Sequence, residues 1–289
     1  MRATLDVPRN ADRTDDYTSR RVLMCAPEHF DVVYDINPWM HTTLETHLRV
    51  DRARAQRQWT SLVGAYRALG HTVELVDPAP GQADMVFAAN AATVVDGKVL
   101  TARFRHDERR GEEPHFLQWF EDHAANQGLA EVRIADSINE GEGDFALVGE
   151  LLLAGHGFRT TREAHAEASR FFGRTTLSLR LVDASYYHLD TALTVLSDDL
   201  VAWYPPAFDP ASRAALARRF PEAIVATPAD AARLGLNMMS DGFHVVMPAG
   251  CDDLAAQVRV RGFEVVPIDL SELRKAGGSV KCCTLEIRT

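Results

Sequence analysis

The sequence predicts an α/β fold built from about five repeated units. Short apolar runs with strand character alternate along the chain with longer amphipathic segments of helical spacing. Strand-rich units recur about every 45 to 60 residues, and the first and last of them lie near the two ends of the chain. Because these two can share one unit, about five units result. With 289 residues and 46% hydrophobic content, the chain can bury a substantial core.

The predicted strands are runs of three to five mainly apolar residues. In chain order they are residues 22–26, 73–76, 85–89, 93–95, 99–102, 145–148, 192–196, 200–203, 245–247, 263–267 and 283–287. The predicted helices lie between them, at residues 50–69, 114–126, 161–172, 210–219 and 252–261. Four of these helices are followed by a glycine of the type that ends helices, namely Gly70, Gly128, Gly173 and Gly262.

The domain organisation predicted from the sequence is simple. No linker divides the chain, so we expect a single domain at residues 22–289. Residues 1–21 are polar, carry charges of both signs and lack the apolar core of a signal peptide. We therefore expect a flexible N-terminal arm at residues 1–21.

Composition excludes several classes of function. A net charge of -10 argues against nucleic-acid binding, which needs clustered Lys and Arg. No apolar run approaches the roughly 20 residues that span a bilayer. Four cysteines in so long a chain do not form a disulfide framework, which indicates reduced thiols and a cytoplasmic location. The histidines lack metal-binding spacing, so we expect no metal and no cofactor. The expected partner is a small-molecule substrate, and the sequence leaves homo-oligomer formation open.

The most informative segment is residues 277–283, with the sequence GGSVKCC. Two glycines before a strand-like run place a thiol where the backbone and a substrate can approach each other. An isolated buried cysteine is usually a small core residue. Here two cysteines are adjacent, and successive strand residues face opposite ways, so only one of them can pack into a given face. Cys282, nearer the glycines, is the predicted nucleophile.

Further polar residues lie at or beside the predicted strand ends, where α/β folds place their chemistry. They are Asn37, Asn90, Glu140, Glu142, His188 and Asp190. Each has an ordinary structural explanation, such as a cap, a turn or a surface charge. Together with Cys282 they supply a nucleophile, an acid/base group and carboxylates that can hold a cation. A guanidinium carbon suits this set, because a guanidinium needs carboxylates to orient it and a proton for its departing amine. His188 can supply that proton, since imidazole titrates near neutral pH.

The motifs around these residues resemble those of the guanidino-group-modifying enzymes, the pentein superfamily. That superfamily includes dimethylarginine dimethylaminohydrolases, arginine deiminases, arginine dihydrolases and amidinotransferases. The resemblance extends from about Val22 to Arg288. It implies a closed five-bladed propeller of ββαβ units with the active site on the pseudo-symmetry axis, which agrees with the repeat count.

The resemblance also implies roles for individual residues. Cys282 corresponds to the nucleophile, His188 to the general acid/base, and Asp190 to the carboxylate that binds guanidinium nitrogens. Glu140 or Glu142 corresponds to the carboxylate of the glycine-rich acidic motif, and Glu140 is the favoured of the two.

The resemblance further implies how the amino-acid part of the substrate is held. Arg159 corresponds to an arginine that binds the substrate α-carboxylate, and Arg105 or Arg109 could be a second. Asn37, in the motif Ile36-Asn37-Pro38-Trp39-Met40, belongs to the implied substrate-binding set.

Two departures from typical dimethylargininases indicate the substrate. Those enzymes usually carry a lysine where this chain has Asp190, and an acidic residue where it has Asn90. Both differences favour the arginine dihydrolase branch, which releases ornithine, ammonia and carbon dioxide. After one hydrolysis the guanidinium becomes a neutral ureido group, to which an amide can donate and which a carboxylate repels. The alternatives are a dimethylarginine dimethylaminohydrolase releasing citrulline and dimethylamine, an arginine deiminase, an amidinotransferase, and a non-catalytic small-molecule sensor.

Overall fold

The protein is described by a computed structural model over residues 19–289. Most of the predicted N-terminal arm, residues 1–21, therefore lies outside the described residues. The strands within this range are β1 (Arg21–Cys25), β2 (Thr72–Val76), β3 (Ala92–Val95), β4 (Lys98–Thr101), β5 (Glu131–Arg133), β6 (Phe145–Val148), β7 (Leu151–His156), β8 (Thr175–Arg180), β9 (Leu193–Val195), β10 (Val201–Trp203), β11 (Ile224–Val225), β12 (Met239–Ser240), β13 (His244–Pro248), β14 (Glu264–Ile268) and β15 (Leu285–Glu286).

The α-helices connect these strands. They are α1 (Pro38–Glu45), α2 (Arg52–Ala68), α3 (Asp107–Arg110), α4 (Glu113–Gln127), α5 (Arg162–Phe172), α6 (Leu189–Ala192), α7 (Pro210–Arg219), α8 (Pro228–Ala231) and α9 (Asp252–Val260). Gly128 and Gly173 follow α4 and α5 with φ angles of 71° and 66°, the left-handed conformation that glycine adopts without strain. Among the helices of residues 19–289, none has the length and apolar character needed to cross a membrane.

Within residues 19–289 the strands form five three-stranded sheets with the same arrangement. Each consists of an antiparallel pair followed by a helix and a third, parallel strand. In the sheet β6-β7-β8, for example, Val148 pairs with Leu151 in the antiparallel ladder, and Leu151 pairs with Thr175 in the parallel one. The helix of a unit is long enough to form the crossover that a parallel pair requires. This is the predicted propeller of five ββαβ units.

The two ends of the chain close the ring. Strand β15 pairs antiparallel with β1, with Leu23 opposite Leu285, and β1 pairs in parallel with β2, with Val22 opposite Val73. One sheet thus takes its first strand from the end of the chain and its other two from the beginning. The prediction that the first and last strand-rich segments share a unit is confirmed.

One predicted strand is wrong. Residues 85–89 form no strand, because the chain turns through a short 3-10 helix at Ala88–Ala91 and the strand begins at Ala92. The run is apolar because it is buried against the C-terminal segment, and its Ala89 amide donates 3.0 Å to the carbonyl of Cys282. Five strands were not predicted, namely β5, β7, β8, β11 and β12. All of these except β7 lie at a sheet edge, where strands are short or partly polar.

Candidate active site

A short segment precedes the first strand of each sheet, and each of the five segments contributes a buried polar side chain. These side chains are Asn90 before β3, Glu140 before β6, His188 and Asp190 before β9, Asn237 before β12, and Cys282 before β15. The five first strands occupy equivalent places in the repeated unit, so the segments before them are equivalent too. The fold therefore collects these residues from all five units.

The thiol of Cys282 lies between an acceptor and a donor. Its Sγ donates to Oδ2 of Asp190 over 3.2 Å, and Nδ2 of Asn237 donates to the same sulfur over 3.0 Å. Burial and the neighbouring Asp190 carboxylate raise the pKa of the Cys282 thiol well above its ordinary value. Burial also raises the pKa of the Asp190 carboxyl to about 7. Burial and the Asp190 carboxylate thus favour the protonated thiol in the resting site.

His188, Glu140 and Arg159 form a buried chain of charged and polar groups. Oε2 of Glu140 lies 2.8 Å from Nε2 of His188 and accepts a 2.8 Å bond from Arg159. Burial acts to raise the pKa of the Glu140 carboxyl, but Arg159 and His188 hold it well below its ordinary value. Glu140 is thus an anion that orients the imidazole ring. The other ring nitrogen, Nδ1, is buried and makes no hydrogen bond within residues 19–289.

The amide of Asn90 is oriented by Arg109. The guanidinium of Arg109 donates to Oδ1 of Asn90 over 2.8 Å, and since a guanidinium can only donate, the oxygen must face it. The Nδ2 group of Asn90 therefore points the other way. It is buried and has no hydrogen-bond partner in the described part of the chain.

Asn90 and His188 line the same space beside Gly143. A Cβ added to Gly143 would lie 3.3 Å from Nδ1 of His188 and would collide with Nδ2 of Asn90. A glycine is therefore required here for these two side chains to approach each other. Oδ1 of Asp190 is likewise buried and unpaired among the described residues. Because buried polar atoms in proteins are nearly always paired, these atoms indicate a place for a polar ligand.

Two further predicted residues have their polar groups engaged by the protein. Arg109 is 2% exposed and also binds the carboxylate of Glu112 through Nε and a terminal nitrogen, at 2.7 and 2.8 Å. Asn37 caps helix α1 by accepting from the amides of Trp39 and Met40 and donates to the carbonyl of Ala276. A direct contact of either residue with substrate would require these bonds to break.

Glu142 lies apart from the imidazole of His188. Its carboxylate binds Lys281 at 2.6 Å, forms an ion pair with Arg288 and accepts from the amide of Glu286. The structure thus gives the two acidic residues of the glycine-rich motif different contacts. Glu140 contacts the imidazole of His188, whereas Glu142 bonds to residues near the C-terminus and so connects the glycine-rich motif to that segment.

Two further predicted arginines lie next to each other, Arg159 buried and Arg105 exposed. Arg159 donates to the carbonyl of Ile36 over 3.0 Å as well as to Glu140, and its guanidinium lies 4.6 Å from the ring centroid of Tyr187. Arg105 is exposed, and its Nε donates to the carbonyl of Arg159. Arg159 thus belongs to the buried chain with Glu140 and His188, whereas Arg105 lies at the protein surface.

Asn237 was not among the residues predicted from the sequence. Its position, two residues before β12, matches that of Asn90, two residues before β3. The signal that could have found it is this repeat position, but β12 has only two residues and was not recognised as a strand. Among residues 19–289, no group of three or more His, Cys, Asp and Glu side chains could hold a metal ion.

The chain is similar to known proteins over most of its length. A family model described as N,N dimethylarginine dimethylhydrolase, eukaryotic, matches residues 27–289. The chain is 48% identical over 269 residues to N(G),N(G)-dimethylarginine dimethylaminohydrolase of Mycobacterium tuberculosis, covering 93% of this chain and 86% of that protein. It is 37% identical over 272 residues to the bifunctional arginine dihydrolase/ornithine cyclodeaminase ArgZ of Synechocystis, covering 92% of this chain and 37% of that longer protein.

Solved structures give the same fold. The N-terminal domain of ArgZ, an arginine dihydrolase from cyanobacteria crystallised with its substrate, matches with a TM-score of 0.87 and 36% identity over 93% of this chain and 98% of that one. A dimethylarginine dimethylaminohydrolase adduct matches with a TM-score of 0.73 and 21% identity over 93% of this chain and 100% of that one. The second match speaks for the fold alone.

Proposed function

The chain belongs to the dimethylarginine dimethylaminohydrolase family of the pentein superfamily and is a hydrolase of C–N bonds in guanidino groups, and we propose that it is an arginine dihydrolase. The proposed reaction consumes arginine and two waters and yields ornithine, two molecules of ammonia and carbon dioxide. The observation that carries the proposal is the amide of Asn90, turned by Arg109 so that its Nδ2 group, which has no partner among residues 19–289, can donate.

The first step uses Cys282 and Asp190. The arginine guanidinium pairs with the Asp190 carboxylate, which at rest accepts from the Cys282 thiol. In the resting site, burial and Asp190 raise the pKa of the Cys282 thiol. A cation beside the sulfur favours the thiolate, so binding of the substrate guanidinium lowers this pKa again. The thiol proton passes to His188, and Sγ forms a bond to the guanidinium carbon.

His188 then completes the first hydrolysis. Its imidazolium, held by Glu140 at 2.8 Å, gives its proton to a terminal nitrogen, which leaves as ammonia and generates a covalent thiouronium on Cys282. Water adds to the thiouronium carbon as His188 takes a proton from it. The hydroxyl group of the resulting intermediate loses its proton to solvent as the C–S bond breaks. Sγ leaves as a thiolate, which takes the proton back from His188, and the substrate now carries a neutral ureido group.

Asn90 determines whether this ureido group is released or retained. The ureido oxygen is an acceptor, and Nδ2 of Asn90 can donate to it, whereas a carboxylate at this position would repel it. A retained ureido group undergoes a second attack by Cys282 and loses its remaining terminal nitrogen as ammonia. A second water releases the resulting thiocarbamate from the sulfur as a carbamate, which loses carbon dioxide and becomes ornithine.

The rest of the proposed site recognises the amino-acid part of arginine. Arg159 and Arg105 are the proposed partners of the α-carboxylate. Arg105 is exposed, and within residues 19–289 only its Nε makes a side-chain hydrogen bond, which supports this role. For Arg159 the proposal combines carboxylate binding with its bond to Glu140. Asn37 and Arg109 support the site through the N-terminus of α1 and the orientation of Asn90.

A dimethylarginine dimethylaminohydrolase is the second candidate. It is favoured by the matching family model and by 48% identity to a mycobacterial protein of that name. In that case the same thiouronium would form with dimethylamine as the leaving group, and citrulline would be the product. The two candidates share Cys282, His188 and Glu140 and differ in the substrate and in the number of hydrolyses.

The test is product identification by mass spectrometry after separate incubations with arginine, monomethylarginine, asymmetric dimethylarginine and agmatine. The proposed reaction predicts ornithine and two molecules of ammonia per arginine. Citrulline as the sole product of arginine would contradict it. Dimethylamine from dimethylarginine, with arginine untouched, would support the second candidate instead.

A further inference from the structure

The side chain of Asn237 makes three hydrogen bonds around the Cys282 sulfur. Its Oδ1 accepts from the Cys282 backbone amide at 3.0 Å, and its Nδ2 donates to Sγ of Cys282 at 3.0 Å and to the carbonyl of Asp190 at 3.1 Å. Asn237 is fully buried. One amide group therefore contacts both the main chain and the side chain of the proposed nucleophile.

The orientation of this amide is fixed by its partners. The backbone N–H of Cys282 can only donate, so the atom facing it is Oδ1. The carbonyl of Asp190 can only accept, so the atom facing it is Nδ2. The second hydrogen of the NH2 group is thereby directed at the sulfur, and the reverse orientation would break two bonds at once.

A donor at the sulfur acts against the acceptor on its other side. Asp190 accepts the S–H group and so favours the neutral thiol, whereas an N–H group directed at sulfur favours the thiolate. In a buried site with little water, such a bond counts for more than it would at the surface. Asn237 thus provides what the sulfur needs after its proton has left.

We propose that Asn237 is a positioning residue that fixes the rotamer of Cys282 and stabilises its thiolate. It acts through Cys282 and is not itself in contact with the reacting carbon. The inference rests on the proposed role of Cys282 as the nucleophile, but it concerns the sulfur alone and does not depend on which guanidino compound is the substrate.

The place of Asn237 in the fold supports this role. The segments before β3, β6, β9 and β15 each carry a residue of the proposed site, and Asn237 occupies the equivalent segment before β12. Its backbone is anchored on both sides, because its amide donates to Leu234 and its carbonyl accepts from Lys281. Leu234 adopts a φ of 59°, which is costly for a leucine and indicates that the surrounding structure imposes this turn.

The experiment compares Asn237→Leu, which keeps the branching at Cγ and removes the donor, with a matched control, Asn139→Leu. Asn139 is 1% exposed and also bonds backbone groups with both ends of its amide, but none of its bonds reaches Cys282. For each folded variant, the rate of iodoacetamide alkylation of Cys282 is measured by peptide mass spectrometry at several pH values. Thermal unfolding is recorded in parallel.

We expect Asn237→Leu to slow alkylation of Cys282 on the order of tenfold at each pH below the thiol pKa, which corresponds to about one pKa unit. The control should lose comparable stability but keep the wild-type alkylation rate. Turnover of Asn237→Leu should fall in kcat with little change in KM. If Asn237→Leu does not fold, Asn237→Ala tests the same donor with a smaller side chain.

Wild-type alkylation rates in a folded Asn237 variant would overturn the proposal, as would equal slowing in the Asn139 control. Because alkylation needs no substrate, this outcome is distinct from failure of the proposed function. A protein that ignores arginine but shows the Asn237 effect would retain the role of Asn237 and lose only the substrate.

Discussion

The guanidinium of Arg109 holds Oδ1 of Asn90 at 2.8 Å and so fixes which end of that amide faces the site. The same guanidinium is bound by Glu112 and lies 4.5 Å from the ring centroid of Phe104, which leaves it little freedom to release Asn90. A buried arginine therefore turns the NH2 group of Asn90 toward the space beside His188. The proposed choice between one hydrolysis and two depends on this donor.

Replacing that donor should separate the two hydrolyses. In Asn90→Asp, a carboxylate still binds Arg109 and still pairs with a guanidinium, so the first ammonia should appear at a rate within about tenfold of wild type. The neutral ureido group should no longer be retained, and the main product should shift from ornithine to citrulline. Amino-acid analysis of the reaction mixture checks this. Continued formation of ornithine as the main product would exclude a role for Asn90 in retention.

The two adjacent cysteines should behave differently. Cys282→Ser should lower turnover by at least about a thousandfold, because a hydroxyl is a far weaker nucleophile than a thiolate. Cys283 is fully buried, so Cys283→Ala should keep wild-type kcat and lose only some stability. Steady-state kinetics and thermal unfolding of both variants are the measurements. Inactivation by the Cys283 change alone would show that Cys282 is not the nucleophile.

Arg105 and Arg159, the two proposed carboxylate-binding residues, should differ in their effects on arginine and agmatine, which lacks the α-carboxylate. Arg105→Ala should raise KM for arginine, because it removes a charge-assisted bond worth about 2 kcal/mol of binding free energy. The KM for agmatine should not change. Arg159→Ala should also lower kcat for both substrates, because Arg159 holds the Glu140 carboxylate that orients His188. The test is kinetics on both substrates. Equal losses on arginine and agmatine in Arg105→Ala would remove it from carboxylate binding.

Stability should depend on pH through Asp190. Burial raises the pKa of this carboxyl to about 7 in the folded protein, above its unfolded value near 4, so the folded state binds the proton more tightly. This contribution is complete below about pH 4 and is lost as the pH rises through about 7. Asp190→Asn carries no such group. The melting temperature of Asp190→Asn minus that of wild type should therefore increase by several degrees from about pH 5 to pH 8, because only the wild type loses this contribution. A constant difference across this range would refute the raised pKa.

Much of the fold was predictable from the sequence. The parallel crossovers were predictable because helices such as α5 have clear amphipathic periodicity and end at glycines such as Gly173. The edge strands were not, because β11 and β12 have two residues each and carry no period that sequence alone can detect. At residues 85–89 the error is the reverse, because a strand was predicted where none forms. This run is apolar because it is buried near Cys282, but it pairs with no strand of the described residues.

The candidate site was predictable in its residue types but not in its contacts. Polar residues beside predicted strand ends indicated Asn90, His188 and Asp190 as candidates, and the structure buries all three. Sequence could not show that Arg109 faces Asn90, because that contact depends on how the segment after β4 folds back over the turn before β3. Asn237 was missed for the same reason as its strand.

The proposed dihydrolase carries arginine through two hydrolyses at one site without releasing citrulline. The decisive experiment supplies uniformly 13C-labelled arginine together with excess unlabelled citrulline and follows labelled citrulline and labelled ornithine by mass spectrometry. We predict that labelled ornithine forms at its usual rate while labelled citrulline stays a minor species throughout. Labelled citrulline accumulating in solution, with labelled ornithine delayed or absent, would contradict retention of the intermediate.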